Sequence, residues 1–276
     1  MIDFSLIDII ALGFVVFVGL PHGAFDGAVY LQLPQYKRPS DFIAFLILYV
    51  AIALAVVGIW YLLPLPSLLL FLALSAFHFG TGDAPALTGG QRVASIISHG
   101  GLATIYLPLI HQDEAFTFFA LLTFQDKNAL APLEMAYYGL SSLWAASLIF
   151  YGIKAISTHS LRRPILEIIG AAIIMACLPL LAGFAFYFCA IHSARHFTAV
   201  YQSLKQASPS HLWGLTAGLT MASWFAGAAL YFWLAPYQGF VVSVIQIIFI
   251  GLAALTVPHM ILIDGVWRPV LRLSKR

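Results

Sequence analysis

The stretch HSARH holds His192 and His196 at positions i and i+4. On a helix that spacing puts both imidazoles on one face, about 6 Å apart, which suits two ligands of one metal ion. Three further histidines share this character: His22 in GLPHGAFDG (19–27), His78 in SAFHFGTGD (75–83) and His259 in TVPHMILIDG (256–265). All five fall inside or near the inner halves of stretches apolar enough to cross a membrane. Ionisable groups at such depth are rare, face the bundle interior and mark functional sites. Any one of them alone reads as a histidine bonded to a backbone carbonyl. Their agreement in depth argues otherwise. Counted from the outer ends, His78 lies about 18 Å in, His192 and His196 about 13 and 20 Å, and His22 about 25 Å. His22, His78, His192 and His196 are therefore the candidate metal ligands. Imidazole suits iron, copper and zinc, and no cysteine or carboxylate pair beside these residues favours another class.

Aspartates follow three of the histidines: Asp26 after His22, Asp83 after His78 and Asp264 after His259. The last motif repeats the first with one residue inserted. Ligating histidines donate their second N–H to a carboxylate or carbonyl, so Asp26, Asp83 and Asp264, with His259, are candidates for that outer layer. The competing reading is that the aspartates sit at the interface or pair with Arg195 or Arg92. Pro21 and Pro258 each precede a histidine and are expected to kink their helices and free carbonyls. His111, His159 and His211 lie near span ends or in loops and read as surface residues. His99, about two turns after Arg92, is the outsider.

The elements that must position these residues are set by composition. Of 276 residues, 62% are hydrophobic and 9% charged, and the mean hydropathy is +0.95. A soluble domain carries about a quarter charged residues, so little of this chain can face water. The expected fold is all-α, a polytopic transmembrane bundle forming one catalytic domain over residues 1–276, with the metal site in its interior. At roughly 20 apolar residues per crossing, helices are expected near 4–31, 41–63, 66–82, 92–111, 133–157, 163–181, 183–204, 211–235 and 239–264. The break near 182 is weak, which leaves eight spans beside nine. The stretch AFTFFALLTF (115–124) is too short to span and reads as interfacial or re-entrant.

Nine spans with the N-terminus outside put Lys37, Arg38, Arg92, Lys154, Arg162, Arg163, Lys205, Arg268, Arg272, Lys275 and Arg276 on the inner side. Lys127 falls outside, beside Asp113, Glu114, Asp126 and Glu134. That asymmetry fits the positive-inside rule and predicts a cytoplasmic C-terminus. MIDFSLID lacks a basic n-region, so the first stretch is expected to stay as a span. Cys177 and Cys189 are too few for a disulfide framework and read as packing residues. A net charge of +2 points to no nucleic-acid partner.

The motifs GLPHGAFDG, SAFHFGTGD, FYFCAIHSARHF (186–197) and TVPHMILIDG, in this order, resemble those of the Brp/Blh family. These are membrane-bound β-carotene 15,15′-dioxygenases that make retinal for microbial rhodopsins. The resemblance covers the whole chain, and Phe25 and Gly27 depart from the family's first motif. It implies a non-haem Fe(2+) held by His22, His78, His192 and His196, with O₂ and β-carotene as substrates and membrane lipid as the surroundings. The expected reaction gives two molecules of all-trans-retinal, in a multi-pass protein of the cell inner membrane. Rival readings are a membrane di-iron desaturase or hydroxylase, a proton-coupled transporter, and a b-type haem protein. The desaturase needs about eight histidines including paired HH, which this chain lacks.

Overall fold

The structure, a computed structural model, describes residues 4–34, 36–85, 87–203 and 209–269. Lys205, Arg272, Lys275, Arg276 and the side chain of His211 lie outside the described residues. All regular structure among the described residues is helical. In chain order the helices are α1 (Leu6–Leu31), α2 (Pro39–Leu62), α3 (Pro64–Asp83), α4 (Gly89–Ile110), α5 (Gln112–Thr123), α6 (Ala131–Ser157), α7 (His159–Cys177), α8 (180–203), α9 (Pro209–Gln238) and α10 (Phe240–Trp267).

Local chemistry places the helix ends. Asp8 accepts from the Ser5 backbone while Ser5 Oγ accepts from the Asp8 N–H, a reciprocal cap that starts α1. Asp41 acts comparably at α2, accepting from the backbones of Lys37 and Arg38 at 2.9 and 2.8 Å. Proline opens α2 and α3, where its missing N–H costs nothing. Gly239 turns the chain from α9 into α10 at φ +82°. Gly239→Ala is expected to destabilise the protein by about 1–3 kcal/mol, because a Cβ there meets nothing nearby and what remains is the strain of φ +82°, ψ 172°, a region essentially reserved to glycine. A thermal unfolding series in detergent measures this.

Among the described residues, seven helical stretches are long and apolar enough to cross a membrane: α1, α2, α3, α4, the stretch Lys127–Ser157 containing α6, α9 and α10. The chain is a membrane protein. The expected spans at 163–181 and 183–204 are also helical, as α7 and α8, but they are more polar. Arg162, Arg163 and Glu167 interrupt the first, and His192, Arg195 and His196 the second. The short stretch at 115–124 belongs to α5, whose Phe116 and Phe119 rings pack on Tyr137 of α6.

The chain forms two compact units that interleave in sequence. The first takes residues 3–15 and 68–195, the second 16–67 and 196 onward. In the first unit α4 packs on α6, α6 on α7, and Leu6–Phe14 on Leu180–Ala185. The backbones of α3 and α4 also approach closely. A Cβ on Gly100 would stand 1.9 Å from the Ala76 carbonyl oxygen, and one on Gly80 would stand 2.3 Å from that of Ile96. Only glycine lets these backbones meet.

In the second unit α10 packs against both α2 and α9. Of the α2 side chains Trp60 is the buried one, while Ile43, Ile47 and Leu54 are exposed, as a lipid-facing helix requires. Phe25, Val29, Val200, Leu262, Ile263 and Trp267 form a buried core in this unit. Val29, Val200 and Ile263 each lie about one or two turns beyond a motif histidine, so this core fixes three histidine-bearing segments against one another.

Among the described residues, four segments depart from α geometry into π turns: Val15–Gly19, Leu102–Tyr106, Phe186–Ser193 and Ile261–Trp267. The first ends three residues before His22, the third contains His192, and the last begins two residues after His259. π turns cluster at functional sites because they re-aim side chains without breaking the helix.

Candidate metal centre

In the first unit, His78 near the end of α3 and His192 in the π segment of α8 are both buried. Their ring centroids are 4.9 Å apart. His192 Nδ1 donates to Asp83 Oδ2 at 3.3 Å. The same carboxylate oxygen accepts from Tyr187 Oη at 2.9 Å, and that hydroxyl also faces the His99 carbonyl at 3.0 Å. One tyrosine proton is thus shared between a carboxylate and a helix carbonyl, tying α3, α4 and α8 together. Phe79 packs 4.5 Å from the His192 ring and Phe188 stacks near it at 6.3 Å, which keeps water from this side of the imidazole.

Arg195 closes the other side of Asp83. It donates to the Asp83 backbone carbonyl at 3.2 Å and to Glu167 at 2.6 Å. It therefore holds the end of α3 through the main chain and leaves the Asp83 carboxylate to His192 and Tyr187. Asp83→Asn is expected to weaken divalent-metal binding about 10–100-fold while leaving the helices intact, since loss of a ligand's outer partner has effects of that size. Titration with Co(II) measures it.

In the second unit, His22, His196 and His259 form a trio. Their centroids are 5.4 Å (His22–His196), 5.5 Å (His22–His259) and 5.1 Å (His196–His259) apart. His259 Nδ1 donates to both oxygens of Asp26, at 2.9 and 3.0 Å. Asp26 also accepts from Tyr49 Oη at 2.9 Å, and Tyr49 faces the Leu255 carbonyl at 3.2 Å. His22 Nδ1 donates to the Gly19 carbonyl at 2.5 Å, in the widened turn ahead of Pro21.

The aspartates sort differently from their sequence neighbourhoods. Asp26 serves His259 rather than the nearby His22, and Asp83 serves His192 rather than His78. Asp264 pairs with Arg268 one turn on. His99 is buried, its Nδ1 donating to the Ser95 carbonyl at 2.8 Å. His159 is exposed, and His111 is half-buried with Nε2 3.4 Å from the Met175 carbonyl. Tyr49 and Tyr187 are the members of these hydrogen-bonded networks that sequence reasoning missed, since a tyrosine within an apolar run reads as packing.

Among the described residues, no three His, Cys, Asp or Glu side chains stand close enough together to hold an ion as they are. The donor chemistry nonetheless fits a divalent first-row metal. His22, His192 and His259 each have Nδ1 held by an oxygen, which fixes the tautomer whose Nε2 is the nitrogen that would face a metal if one were bound.

A sequence profile described as Beta-carotene 15,15'-dioxygenase matches residues 14–267 of the chain. The chain is 39% identical over 275 residues to "Beta-carotene 15,15'-dioxygenase" of uncultured marine bacterium 66A03, covering 96% of this chain and 95% of that protein. It is 25% identical over 280 residues to "Probable beta-carotene 15,15'-dioxygenase Blh" of Halobacterium salinarum, covering 89% of this chain and 79% of that protein. No solved structure is significantly similar to it.

Proposed function

Because the chain belongs to the beta-carotene 15,15'-dioxygenase family and is a carotenoid 15,15′-dioxygenase, we propose that it cleaves β-carotene with O₂ at a histidine-held iron to give two molecules of all-trans-retinal. The ligand set proposed from the motifs is His22, His78, His192 and His196. The observation that best supports it is the buried Asp–Tyr pair behind His192, which gives that imidazole one tautomer and one orientation. Neutral imidazoles leave Fe(2+) its full charge, and the chemistry it contributes when bound is activation of dioxygen.

The reaction places one oxygen atom on each carbon of the C15–C15′ double bond. That bond and the O–O bond break, two aldehydes result, and no other oxidant or reductant is required. The chain's own part is ligation, alignment and exclusion of water. A polyene offers no polar handle, so its position must be set by apolar contact. Phe79 and Phe188 beside His192 supply rings of that kind. We place the protein in the inner membrane with eight or nine spans, a cytoplasmic C-terminus and lipid as the route for substrate.

Expression in cells that accumulate β-carotene tests the reading. The orange colour is expected to fade and retinal to appear by chromatography. Colour that persists despite good membrane expression refutes it.

A further inference from the structure

Two histidines in this protein stand in the same setting. His192 Nδ1 donates to Asp83, which accepts from Tyr187, whose hydroxyl also faces a helix carbonyl. His259 Nδ1 donates to Asp26, which accepts from Tyr49, whose hydroxyl likewise faces a helix carbonyl. Each device belongs to a different unit and is built from different helices. Burying a carboxylate is costly unless its lone pairs are filled, so two such devices are not incidental packing. Their common effect is to fix an imidazole as the Nδ1–H tautomer, with Nε2 as the basic nitrogen and its lone pair strengthened by the carboxylate behind it.

His192 belongs to the proposed ligand set, whereas the motif reading gave His259 an outer role. We infer that His259 is itself a ligand of the iron, alongside His22 and His196, and that Asp26 and Tyr49 are its positioning residues. This rests on the iron reading above and extends it. Three observations within the second unit carry it. The His259 ring lies 5.1 and 5.5 Å from those of His196 and His22. Imidazoles sharing one ion at about 2.1 Å from nitrogen have centroids roughly 5 Å apart, so the rings of the trio are spaced as co-ligands are, and binding requires them to turn until their nitrogens converge. Asp26 is bidentate toward Nδ1, which leaves Nε2 as the nitrogen with coordinating chemistry. The segment is also locked: Pro258 precedes His259, a π turn follows it, and Leu262 and Ile263 anchor that turn in the buried core with Phe25 and Val200. A histidine serving merely as an outer partner for another ligand would donate toward that ligand; His259 donates away from the trio, to a carboxylate.

The experiment uses the full-length chain purified in detergent, loaded with Fe(II) for stoichiometry and with Co(II) for spectroscopy. His259→Ala is expected to weaken Fe(II) binding at least tenfold and to change the Co(II) visible bands, and the same is expected of His196→Ala. His259→Cys is expected to keep a bound Co(II) and to gain a thiolate-to-cobalt charge-transfer band in the near ultraviolet. Tyr49→Phe is expected to bind Co(II) more weakly with the trio's bands shifted. Size-exclusion profiles establish which variants are folded. A folded His259→Ala protein with wild-type Fe(II) affinity and an unchanged Co(II) spectrum overturns the inference, as does a folded, cobalt-loaded His259→Cys protein without the band. A wild-type chain that binds neither ion overturns the iron reading and this inference together. A wild type that binds, and loses the metal on His196→Ala but not on His259→Ala, overturns this inference alone.

Discussion

Changing His192 to alanine is expected to remove bound iron and retinal formation together. The side chain is buried in the first unit, and its Nδ1 is committed to Asp83. Alanine deletes the nitrogen that would ligate, and it also leaves Asp83 with Tyr187 as its remaining side-chain donor. Loss of an outer partner costs a metal site about 10–100-fold, and loss of the ligand itself should exceed that. Iron per chain by elemental analysis and retinal by chromatography read the two effects separately. Full iron with full turnover in purified His192→Ala would sink the assignment. The same pair of measurements applies to His22, His78 and His196.

Gly100→Ala is the second large effect, and it reaches the site through backbone. The new Cβ would stand 1.9 Å from the Ala76 carbonyl oxygen and 3.1 Å from the Gly80 nitrogen. Neither is the far end of a flexible side chain, so α3 and α4 must separate by more than an ångström. His78 lies on α3 between Ala76 and Gly80 and must move with it. The expected result is a lower midpoint of thermal unfolding together with a loss of retinal formation of tenfold or more. Gly139→Ala, where a Cβ meets nothing within 4 Å, serves as the control and should leave both unchanged or slightly raise stability. Equal behaviour of the two variants would show that the close approach of α3 and α4 is not needed.

Much of this was legible in the residues. Apolar length marked nine helices, of which seven among the described residues are long and apolar enough to cross a membrane, and the four motifs carried the family. The positions of α7 and α8 were legible too, although charge makes them more polar than spans elsewhere in the chain. Side-chain partnership was not legible. A four-residue spacing paired Asp26 with His22 on paper, yet His22 finds the Gly19 carbonyl exposed by a widened turn, and Asp26 turns to a residue 233 positions away. Likewise Asp83 passes over His78, five residues before it, for His192, 109 positions on. Helical spacing predicts which residues share a face, while hydrogen bonding across helices depends on how the faces are turned. Tyr49 and Tyr187 were hidden for the same reason. The family match also separates a carotenoid dioxygenase from the desaturase, transporter and haem readings that composition alone left standing.

The long reach of Asp26 bears on how the protein is made. Tyr49 follows it by 23 residues, but His259 follows it by 233. At about 5–20 residues per second of synthesis, the carboxylate waits roughly 10–50 s for its histidine. During that interval the first helix carries an acidic side chain that has, once α2 is made, only the Tyr49 hydroxyl of its two side-chain partners. Ribosome-bound chains ending before α10 should therefore be held at the insertion machinery or degraded, and completion of the last helix should release them.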